Sequence, residues 1–571
     1  MAAQLFSTSE LSPRAVLTGI LIGALLTPCN IYSGLKIGWS FNMSILALLL
    51  GYAAWSAAGR LLGSRPWQQK ESNISQTTAS AAASIISGDL VAPIPAHALL
   101  SGETLASAPM IAWVFSVSFL GIWVAWYLRP LLIESGQLRF PAGMATLETL
   151  QDIFAHGREA ARRIAVLTGA AAAAAGLKVA DLVFTLPRWT PSAVLGQFTF
   201  ALEPSLLLLG FGGIIGLRVG LSLLLGALLA FGMIAPRLVS SGAVAIPADG
   251  GWFGALVEWL LWPGVSLIVC ASLASFIAQA LAAFAASGAG RGARRRGLPA
   301  DWRRPAPALA LLAATGVSIW LQHALFAIPL GIALLAVPFA LLLAGVAARV
   351  VGDTGIPPIG AIGKVSQLGF GIAAPGQAIT NLMTANVAGG AAGQCADLLN
   401  DLRAGRGIGA SPARQIVAQC FGVLIGSIVG VLAYRALIPD PQMLISAEWP
   451  APAVATWKAV AETMADGLGA VPADARLAML LAGAIGITIG LAEASAPEAW
   501  RRWLPSPVAV GLAFVIPASI SIVMFVGAAL AALAARLAPD PARRFTVTVA
   551  AGLVAGESIA GVVAALMSMA G

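Results

Sequence analysis

Long apolar segments recur from one end of this chain to the other, and they constrain its fold more than any other feature. Many run for about 18 residues or more, the length at which a helix can cross the hydrocarbon layer of a bilayer. Backbone polar groups in hydrocarbon must be bonded within the chain. Because the Ala- and Leu-rich segments show no strand-like alternation, the sequence predicts an all-α polytopic membrane protein.

The charged residues agree with this prediction. They make up 10% of the 571 residues, whereas soluble domains contain about 25%. The net charge of +8 comes from Lys and Arg residues that lie mostly between apolar segments, where the positive-inside rule places them. This placement argues against nucleic acid as a partner and makes the lipid bilayer the expected surroundings.

Basic loops and helix breakers suggest how the chain is organised. We interpret the Arg-rich segment 287–305 as a cytoplasmic linker between two membrane halves, residues 1–286 and 306–571. Residues 437–477 are less apolar, and we predict an external loop there. Pro- and Gly-rich breaks interrupt several segments, at 87–103, 140–150, 355–377 (which contains "GIPPIG") and 505–521, and polar residues end a first span of about 14–32. Such interruptions are typical of transporter binding sites. We expect roughly 14 to 16 transmembrane or re-entrant helices, in two duplicated halves with Pro/Gly-broken helices.

Two segments of small residues support the duplication. The first begins at Asn73 and ends at Asp89, and the second begins at Asn381 and ends at Asp397. In both, the acid follows the asparagine by 16 positions, with hydroxyl, Gly and Ala residues between them. The alternative is a chance similarity between two small-residue helices.

Three acidic residues are candidates for carrying a coupling proton. An ionised side chain at mid-bilayer costs about 3 kcal/mol or more, so it usually faces a cavity or a partner. On this ground we select Asp89, Asp397 and Glu557. A solvated helix end is the alternative for Asp397, since Asp401 and other polar residues follow it. A protonated structural glutamate is the alternative for Glu557.

Amide and amine groups near the breaks are the candidate substrate-binding groups. Asn73 and Gln76 are costly to bury without partners. Lys36 and Lys364 each lie beside a glycine-rich break. Either lysine could extend to the membrane surface or bind a substrate carboxylate. The complete candidate set is Asn30, Tyr32, Lys36, Asn73, Gln76, Lys364, Gln377 and Asn381.

Signatures of enzymes are absent from the sequence. It contains no HExxH zinc motif, no GxxxxGK[ST] phosphate loop and no GxSxG elbow. The four cysteines lack CxxC spacing and are expected to be packing residues, with no metal site. We therefore predict no catalytic residues and no cofactor beyond a coupling proton. Transport or a passive channel is favoured, with a membrane-embedded enzyme as a remote alternative.

Blocks spread over nearly the whole chain carry a family resemblance. They include "GILIGALLTPCNIYSGLKIGWSFNMSILALLLGYA", "ESNISQTTASAAASIISG", "RVVGDTGIPPIGAIGKVSQLGFG", "AGQCADLLNDLRAGRGIGASPARQIVAQCFGVLIG" and "AAGLVAGESIAGVV". In this order they resemble the oligopeptide transporter (OPT) family, which includes the yellow-stripe-like transporters of metal chelates. The Asn-Pro-Gly-Pro-Phe-Asn motif of the eukaryotic peptide branch is missing, so the chain is more similar to the prokaryotic and yellow-stripe-like branch.

The resemblance implies a secondary active, proton-coupled importer that works by alternating access. Its substrates would be small peptides or peptide-like compounds, or alternatively complexes of metals with siderophores or amino-acid-derived chelators. The prokaryotic branch implies a bacterial inner membrane, and a homodimer is one assembly to test. The resemblance supplies no residue list, so the candidate residues above depend on local physical chemistry alone.

Overall fold

The computed structural model describes residues 10–38, 42–85, 89–134, 138–155, 157–247, 252–289, 305–354 and 359–570. Most of the predicted linker 287–305 lies outside these residues, and so does the start of the "GIPPIG" break.

The described residues are mainly helical, with two isolated β-bridges and no longer strand among them. Two π-helical segments, Pro130–Glu134 and Leu228–Ile234, extend α-helices. In chain order the α-helices are α1 (Pro13–Ile37), α2 (Ser44–Leu62), α3 (Gln69–Ser84), α4 (Pro93–Ser101), α5 (Ser107–Arg129), α6 (Pro141–Ala155), α7 (Gly157–Phe184), α8 (Ala193–Gln197), α9 (Leu206–Ile215), α10 (Leu217–Ala227), α11 (Ala235–Ser240), α12 (Trp252–Ala289), α13 (Pro305–Phe326), α14 (Leu330–Thr354), α15 (Ile359–Ala373), α16 (Ala378–Gly407), α17 (Pro412–Leu437), α18 (Pro452–Asp466), α19 (Arg476–Ser495), α20 (Glu498–Arg501), α21 (Pro507–Leu512), α22 (Ala518–Leu537) and α23 (Pro539–Ala570).

The prediction of an all-α polytopic membrane protein is confirmed. Within the described ranges, 12 helices are long and apolar enough to cross a membrane. Helices α3 and α16 are not among them: α3 has only 16 residues, and polar residues occupy much of the length of α16. The predicted breaks at 87–103 and 505–521 contain short helices or helix ends: α4 lies within the first, and the second contains α21 and the beginning of α22.

The first helix is longer than the sequence suggested. We expected a span of about residues 14–32 followed by a polar break, but α1 continues to Ile37. Asn30, Tyr32 and Lys36 therefore lie on helical backbone. Residues 437–477 are also more structured than a simple loop, since they contain α18 and the short 3₁₀ helices Pro441–Met443 and Gly467–Ala470.

The chain forms two compact units, each assembled from separate segments. Unit 1 contains Met1–Ile31, Ser40–Ile164 and Gln279–Arg435. Unit 2 contains Tyr32–Trp39, Ala165–Ala278 and Ala436–Gly571. Each unit contains residues from before and from after the predicted linker 287–305. The duplicated halves remain a prediction about the sequence.

Helices α3 and α16 form much of the interior of unit 1. Thirteen of the 16 residues in α3 are buried, including every residue from Glu71 to Ala83. Glycines make this burial possible: a Cβ atom on Gly426 of α17 would lie 2.6 Å from the carbonyl oxygen of Ala82. Gly422, one turn earlier, meets the backbone of Thr78 in the same way. Small residues at this spacing allow membrane helices to approach closely.

In unit 2, α9 packs against α22 and α23, and α10 packs against α21 and α22. Gly552 and Gly556 of α23 contact the carbonyl groups of Leu167 and Ala171 on α7. Residue numbers increase in the same direction along the two helices at these contacts, so α7 and α23 run parallel. Residue 557, which follows Gly556 on α23, lies near the beginning of α9.

Candidate functional site

The two small-residue segments lie in unit 1. Most of the first belongs to α3 and the second lies on α16, and these helices are in contact. Each acid is bound by a residue of the other segment. Asp89 accepts a hydrogen bond from Asn386 on α16, and Asp397 accepts one from Ser80 on α3. This exchange brings two of the three acids selected from the sequence into one buried region.

Asp89 is held by an oriented amide. The Nδ2 atom of Asn386 donates to Oδ1 of Asp89 at 2.5 Å, while Nε1 of Trp113 donates to Oδ1 of Asn386 at 2.6 Å. The indole thus fixes which end of the amide faces the carboxyl group. Oδ2 of Asp89 has no hydrogen-bond partner within the described residues.

Asp397 is one turn from a second buried acid, Asp401. A solvated helix end is wrong for this region, because α16 continues to Gly407 and the two acids are 7% and 1% exposed. Ser80 donates to Asp397 at 3.2 Å, Ser44 lies 3.4 Å from Asp401, and Gln76 donates to Asp401 at 2.6 Å. Positions i and i+4 share a helix face, so the two carboxyl groups face the same side.

Amide groups without partners extend along the same helices. Both polar side-chain atoms of Asn73 and of Gln394 are buried and have no hydrogen-bond partner in the described part of the chain. The same is true of Oε1 of Gln76 and Oδ1 of Asn381. Buried polar groups are normally paired, and unpaired ones indicate a bound water, ion or ligand. Asn73, Gln76 and Asn381 were predicted as lining residues, whereas Gln394 was not.

Three other predicted substrate-binding residues of unit 1 differ in how far they are buried. Lys364 is 4% exposed and lies on α15, which packs against α16. Gln377 is exposed just before α16 and accepts a hydrogen bond from Thr380 at 2.9 Å. Asn30 is fully buried in unit 1, where it donates to the carbonyl of Ala83 at 2.8 Å. Gln377 is thus the candidate least integrated into the buried region.

Tyr32 and Lys36 belong to unit 2 and form an aromatic cluster there. The ring of Tyr32 meets that of Trp449 edge to face, with centroids 5.5 Å apart. The Nζ atom of Lys36 lies 4.7 Å from the Trp449 ring centroid and donates to the carbonyl of Glu448. The ammonium group is therefore held by an aromatic ring and by a backbone dipole.

Glu557 is also in unit 2, at the beginning of a helix. It accepts hydrogen bonds from the backbone N–H of Leu207 at 2.7 Å and from Ser205 Oγ at 2.8 Å. Ser205 is the N-cap residue of α9 and accepts from Leu208 N. An anion at a helix N-terminus satisfies free N–H groups and is stabilised by the helix dipole. The geometry gives Glu557 a capping role; its role in coupling stays a prediction.

A charged cluster surrounds the beginning of α3 in unit 1. Glu71 accepts hydrogen bonds from Ser12 at 2.5 Å, from Arg14 Nε at 2.7 Å and from Arg65 at 2.9 Å. Burial opposes ionisation of Glu71, but the hydrogen bonds from Arg14 and Ser12 outweigh it, so the pKa of Glu71 is lowered. Glu10, just before α1, forms an ion pair with Arg414 at the start of α17. These contacts bind three helix beginnings together.

Sequence reasoning missed Asp401, Ser44, Asn386 and Gln394 as members of the buried region. The spacing of Asp397 and Asp401 was visible, and so was the absence of a breaker before Gly405. A longer helix could have been inferred from those two facts. The pairings with Ser44 and Asn386 span 357 and 297 positions, and no local pattern announces them.

Comparisons with known proteins agree over the length of the chain. The family profile described as "OPT oligopeptide transporter protein" matches residues 10–568. The "Putative oligopeptide transporter" of Saccharomyces cerevisiae is 23% identical over an alignment that covers 91% of this chain and 90% of the yeast protein. The "Probable metal-nicotianamine transporter YSL16" of Oryza sativa subsp. japonica is 24% identical, with 96% of this chain and 90% of the rice protein covered.

A shorter match points the same way. The "Probable metal-nicotianamine transporter YSL8" of Arabidopsis thaliana is 27% identical over 179 residues, 31% of this chain and 24% of the plant protein. The match of the family profile to almost every residue, together with 12 candidate membrane helices in the described part, establishes what kind of molecule this is: an integral membrane transporter that belongs to the OPT family.

Proposed function

We propose that the chain is a secondary active importer of small peptides or peptide-like compounds, driven by protons and working by alternating access. One observation carries the proposal most strongly: α3 and α16, which pack against each other, both bury amide atoms without partners among the described residues, and α16 carries two buried acids one turn apart. A rigid structural core has no use for polar atoms that lack partners, because each costs about 1–3 kcal/mol. A substrate rich in amide groups would supply those partners.

The chemistry of the buried groups suits a peptide. Asn73, Gln76 and Gln394 offer both N–H donors and carbonyl acceptors, which match the two faces of a peptide bond. The buried amine of Lys364 could meet a substrate carboxylate, and buried carboxyl groups could meet an ammonium group. The yeast relative carries the name of an oligopeptide transporter, which supports this substrate class.

Transport of a metal chelate is the second candidate. It is favoured by the names of the rice and Arabidopsis relatives, which specify metal-nicotianamine. Among the described residues, no three His, Cys, Asp or Glu side chains come together as metal ligands. In this alternative the chelator therefore brings the ligands, and the protein recognises the amino and carboxylate groups of the complex.

Further parts of the proposal concern the setting of the protein. Of the three acids selected from the sequence, we propose Asp89 and Asp397 as proton carriers, whereas Glu557 caps α9. No other cofactor and no enzymatic activity are proposed. We place the protein in a bacterial inner membrane and include a homodimer among the assemblies to test. Mass measurement of the detergent-solubilised protein would decide between a monomer and a dimer.

Uptake into proteoliposomes tests the function. Radiolabelled trialanine and iron–nicotianamine would each be offered with and without an imposed pH gradient, acid outside. We expect trialanine to accumulate above equilibrium only with the gradient, and unlabelled peptide to compete. Accumulation of the iron complex alone would favour the second candidate. Uptake that never exceeds equilibrium would indicate a channel and contradict the proposal.

A further inference from the structure

The two carboxyl groups on α16 are joined by a chain of hydroxyl groups. Ser80 Oγ lies 3.2 Å from Oδ1 of Asp397, and Ser44 Oγ lies 3.4 Å from Oδ1 of Asp401. The two hydroxyl oxygens are 2.9 Å apart, and either can be the donor. Four groups on three helices thus form three consecutive oxygen–oxygen links between one acid and the other.

A count of hydrogen atoms shows how many protons this series of hydrogen bonds requires. Each link requires one hydrogen between its two oxygens, and each serine carries one hydroxyl hydrogen. Two serines therefore supply two hydrogens for three links. If both carboxyl groups were ionised, one link would be a repulsive contact between two oxygens without a hydrogen. One proton on either carboxyl group completes all three links.

The surroundings of the pair agree with this count. Side chains of α2, α3 and α17 contact the pair or its backbone, and α16 also packs against α4 to α6 and α13 to α15. Within the described residues no salt bridge joins a Lys or Arg to either carboxylate. Ionisable groups near the ends of these helices bond elsewhere: Lys70 to the carbonyl of Gly409, Glu71 to Arg14, Arg414 to Glu10, and Arg129 to Glu134. The charge of Asp397 acts on Asp401. Two negative charges one helical turn apart in a buried region oppose each other.

A separate observation is that polar atoms without partners lie at this pair of carboxyl groups. Oδ2 of Asp401 is buried and has no hydrogen-bond partner among the described residues, and the same holds for Oε1 of Gln76. The Gln76 amide nitrogen is bonded to Asp401, so its free oxygen lies beside the acid. Asn73, one turn earlier on α3, has two more unpaired atoms. The unpaired amides that would meet substrate thus begin where the hydroxyl chain ends.

We propose that Asp397 and Asp401 share one proton through Ser80 and Ser44, and that this relay couples the proton to substrate. The inference rests on proton-coupled transport. In the transfer, the O–H bond of Asp401 breaks as one forms on Ser44, the original Ser44 hydrogen passes to Ser80, and the original Ser80 hydrogen passes to Asp397. Atoms and charge balance, and the net result is one proton moved from Asp401 to Asp397. Gln76 is a positioning residue, since it holds Asp401 in line with Ser44.

Infrared spectroscopy of the purified protein tests the shared proton without any substrate. A protonated carboxyl group absorbs apart from a carboxylate, so its loss can be counted. In Asp397→Asn the new amide supplies the third hydrogen, and the same holds in Asp401→Asn. Each single substitution should therefore abolish the same one-carboxyl signal. Asp152→Asn is the matched control: Asp152 pairs with Arg163 at 2.8 Å, and its replacement should leave the signal unchanged.

The outcomes separate the alternatives. Loss of the signal in both variants supports sharing. Loss in only one variant would show a proton confined to that carboxyl group, and persistence in both would show that the pair is ionised; either result overturns the relay. Circular dichroism and size-exclusion chromatography would verify that each variant is folded.

Ser44→Ala provides a second test that changes little volume. Proton-driven accumulation of trialanine should fall at least tenfold, while exchange of labelled for unlabelled trialanine across vesicles without a gradient should stay within twofold. Ser427→Ala is the control, because Ser427 is fully buried but bonds only to Val423 of its own helix, at 2.7 Å. Unchanged accumulation in Ser44→Ala overturns the relay. If the unmodified protein ignores the pH gradient, the proposed function fails instead, so the two failures can be told apart.

Discussion

Buried acids are treated differently in the two units of this transporter. In unit 1, Asp397 and Asp401 are bonded to serines and to an amide. In unit 2, Glu557 is bonded to the N-terminus of α9. The dipole at a helix N-terminus favours the anion, whereas isolated hydroxyl and amide groups add no helix dipole. The comparison teaches that burial alone does not identify a coupling residue, because the groups bonded to the carboxyl must be considered as well.

Glu71 offers the strongest contrast and the largest expected effect on stability. Glu71→Gln would leave Arg14 and Arg65 without their anion, and we expect a loss of about 3 kcal/mol at neutral pH. Because the folded protein lowers the pKa of Glu71 below its ordinary value of 4.5, its contribution is present above that pH and is lost as the pH falls further. Thermal unfolding in detergent should show a gap between the two proteins that narrows in acid.

A gap that widens in acid would contradict this assignment of charge. Glu148→Gln on α6 is the control, because it makes the same chemical change at an exposed glutamate. Its replacement should alter stability by less than about 0.5 kcal/mol.

The Asp89 site tests what an amide partner contributes. Asn386→Leu removes the donor to Asp89 and leaves the Trp113 N–H without its acceptor, so we expect a loss of about 2 kcal/mol. Asn386→Asp keeps an acceptor for Trp113 but places a second acid beside Asp89. Its stability should therefore rise as the pH is lowered and one acid becomes protonated. Stability that does not depend on pH in this variant would argue that Asp89 is not close to Asn386.

Glu557 tests the helix-capping side of the comparison with a smaller effect. Glu557→Gln retains an oxygen that can accept from Leu207 N but loses the interaction of the anion with the helix dipole. Because burial of the charge offsets part of that interaction, we expect a loss of at most about 1 kcal/mol. Ser205→Ala removes the N-cap hydroxyl and should cost about 1 kcal/mol as well. Melting temperatures of the two single variants and of the double variant would show whether the effects are coupled, as neighbouring groups require.

Lys36 is expected to give the smallest change. Lys36→Met keeps much of the apolar side chain but removes the ammonium group from the Trp449 ring, a contact worth about 0.5–1 kcal/mol. The same variant tests the substrate role predicted from the sequence. An increase in the KM for trialanine with unchanged stability would favour substrate binding, whereas a small loss of stability with unchanged KM would favour anchoring.

Much of the fold could be predicted from sequence because the bilayer imposes simple length and polarity rules. The apolar segments predicted helices, and the breaks around residues 87–103 and 505–521 contain only short helices or the end of a longer one. The first break was misplaced because "CNIYSGLKI" contains polar residues and a glycine, yet Asn30 and Tyr32 find partners that let α1 continue to Ile37. Local composition cannot reveal such partners.

The candidate site was predicted only in part for a related reason. The 16-residue spacing drew attention to the segments that contain α3 and α16, and Asn73, Gln76, Asp89, Asn381 and Asp397 in those segments are all buried. It could not show that each acid contacts the other segment, because that depends on how the helices pack. Gln377 shows the opposite error: its position beside Asn381 suggested lining, but it lies before the first turn of α16 and is exposed.

The central claim is that the buried acids of unit 1, and not the helix-capping acid of unit 2, couple protons to substrate. The most direct test compares Asp401→Asn with Glu557→Gln in the same proteoliposomes, measuring trialanine accumulation under a pH gradient and gradient-free exchange. The account predicts that Asp401→Asn loses accumulation down to the equilibrium level but keeps exchange, while Glu557→Gln keeps both. Loss of accumulation with retained exchange in Glu557→Gln, together with normal accumulation in Asp401→Asn, would contradict it.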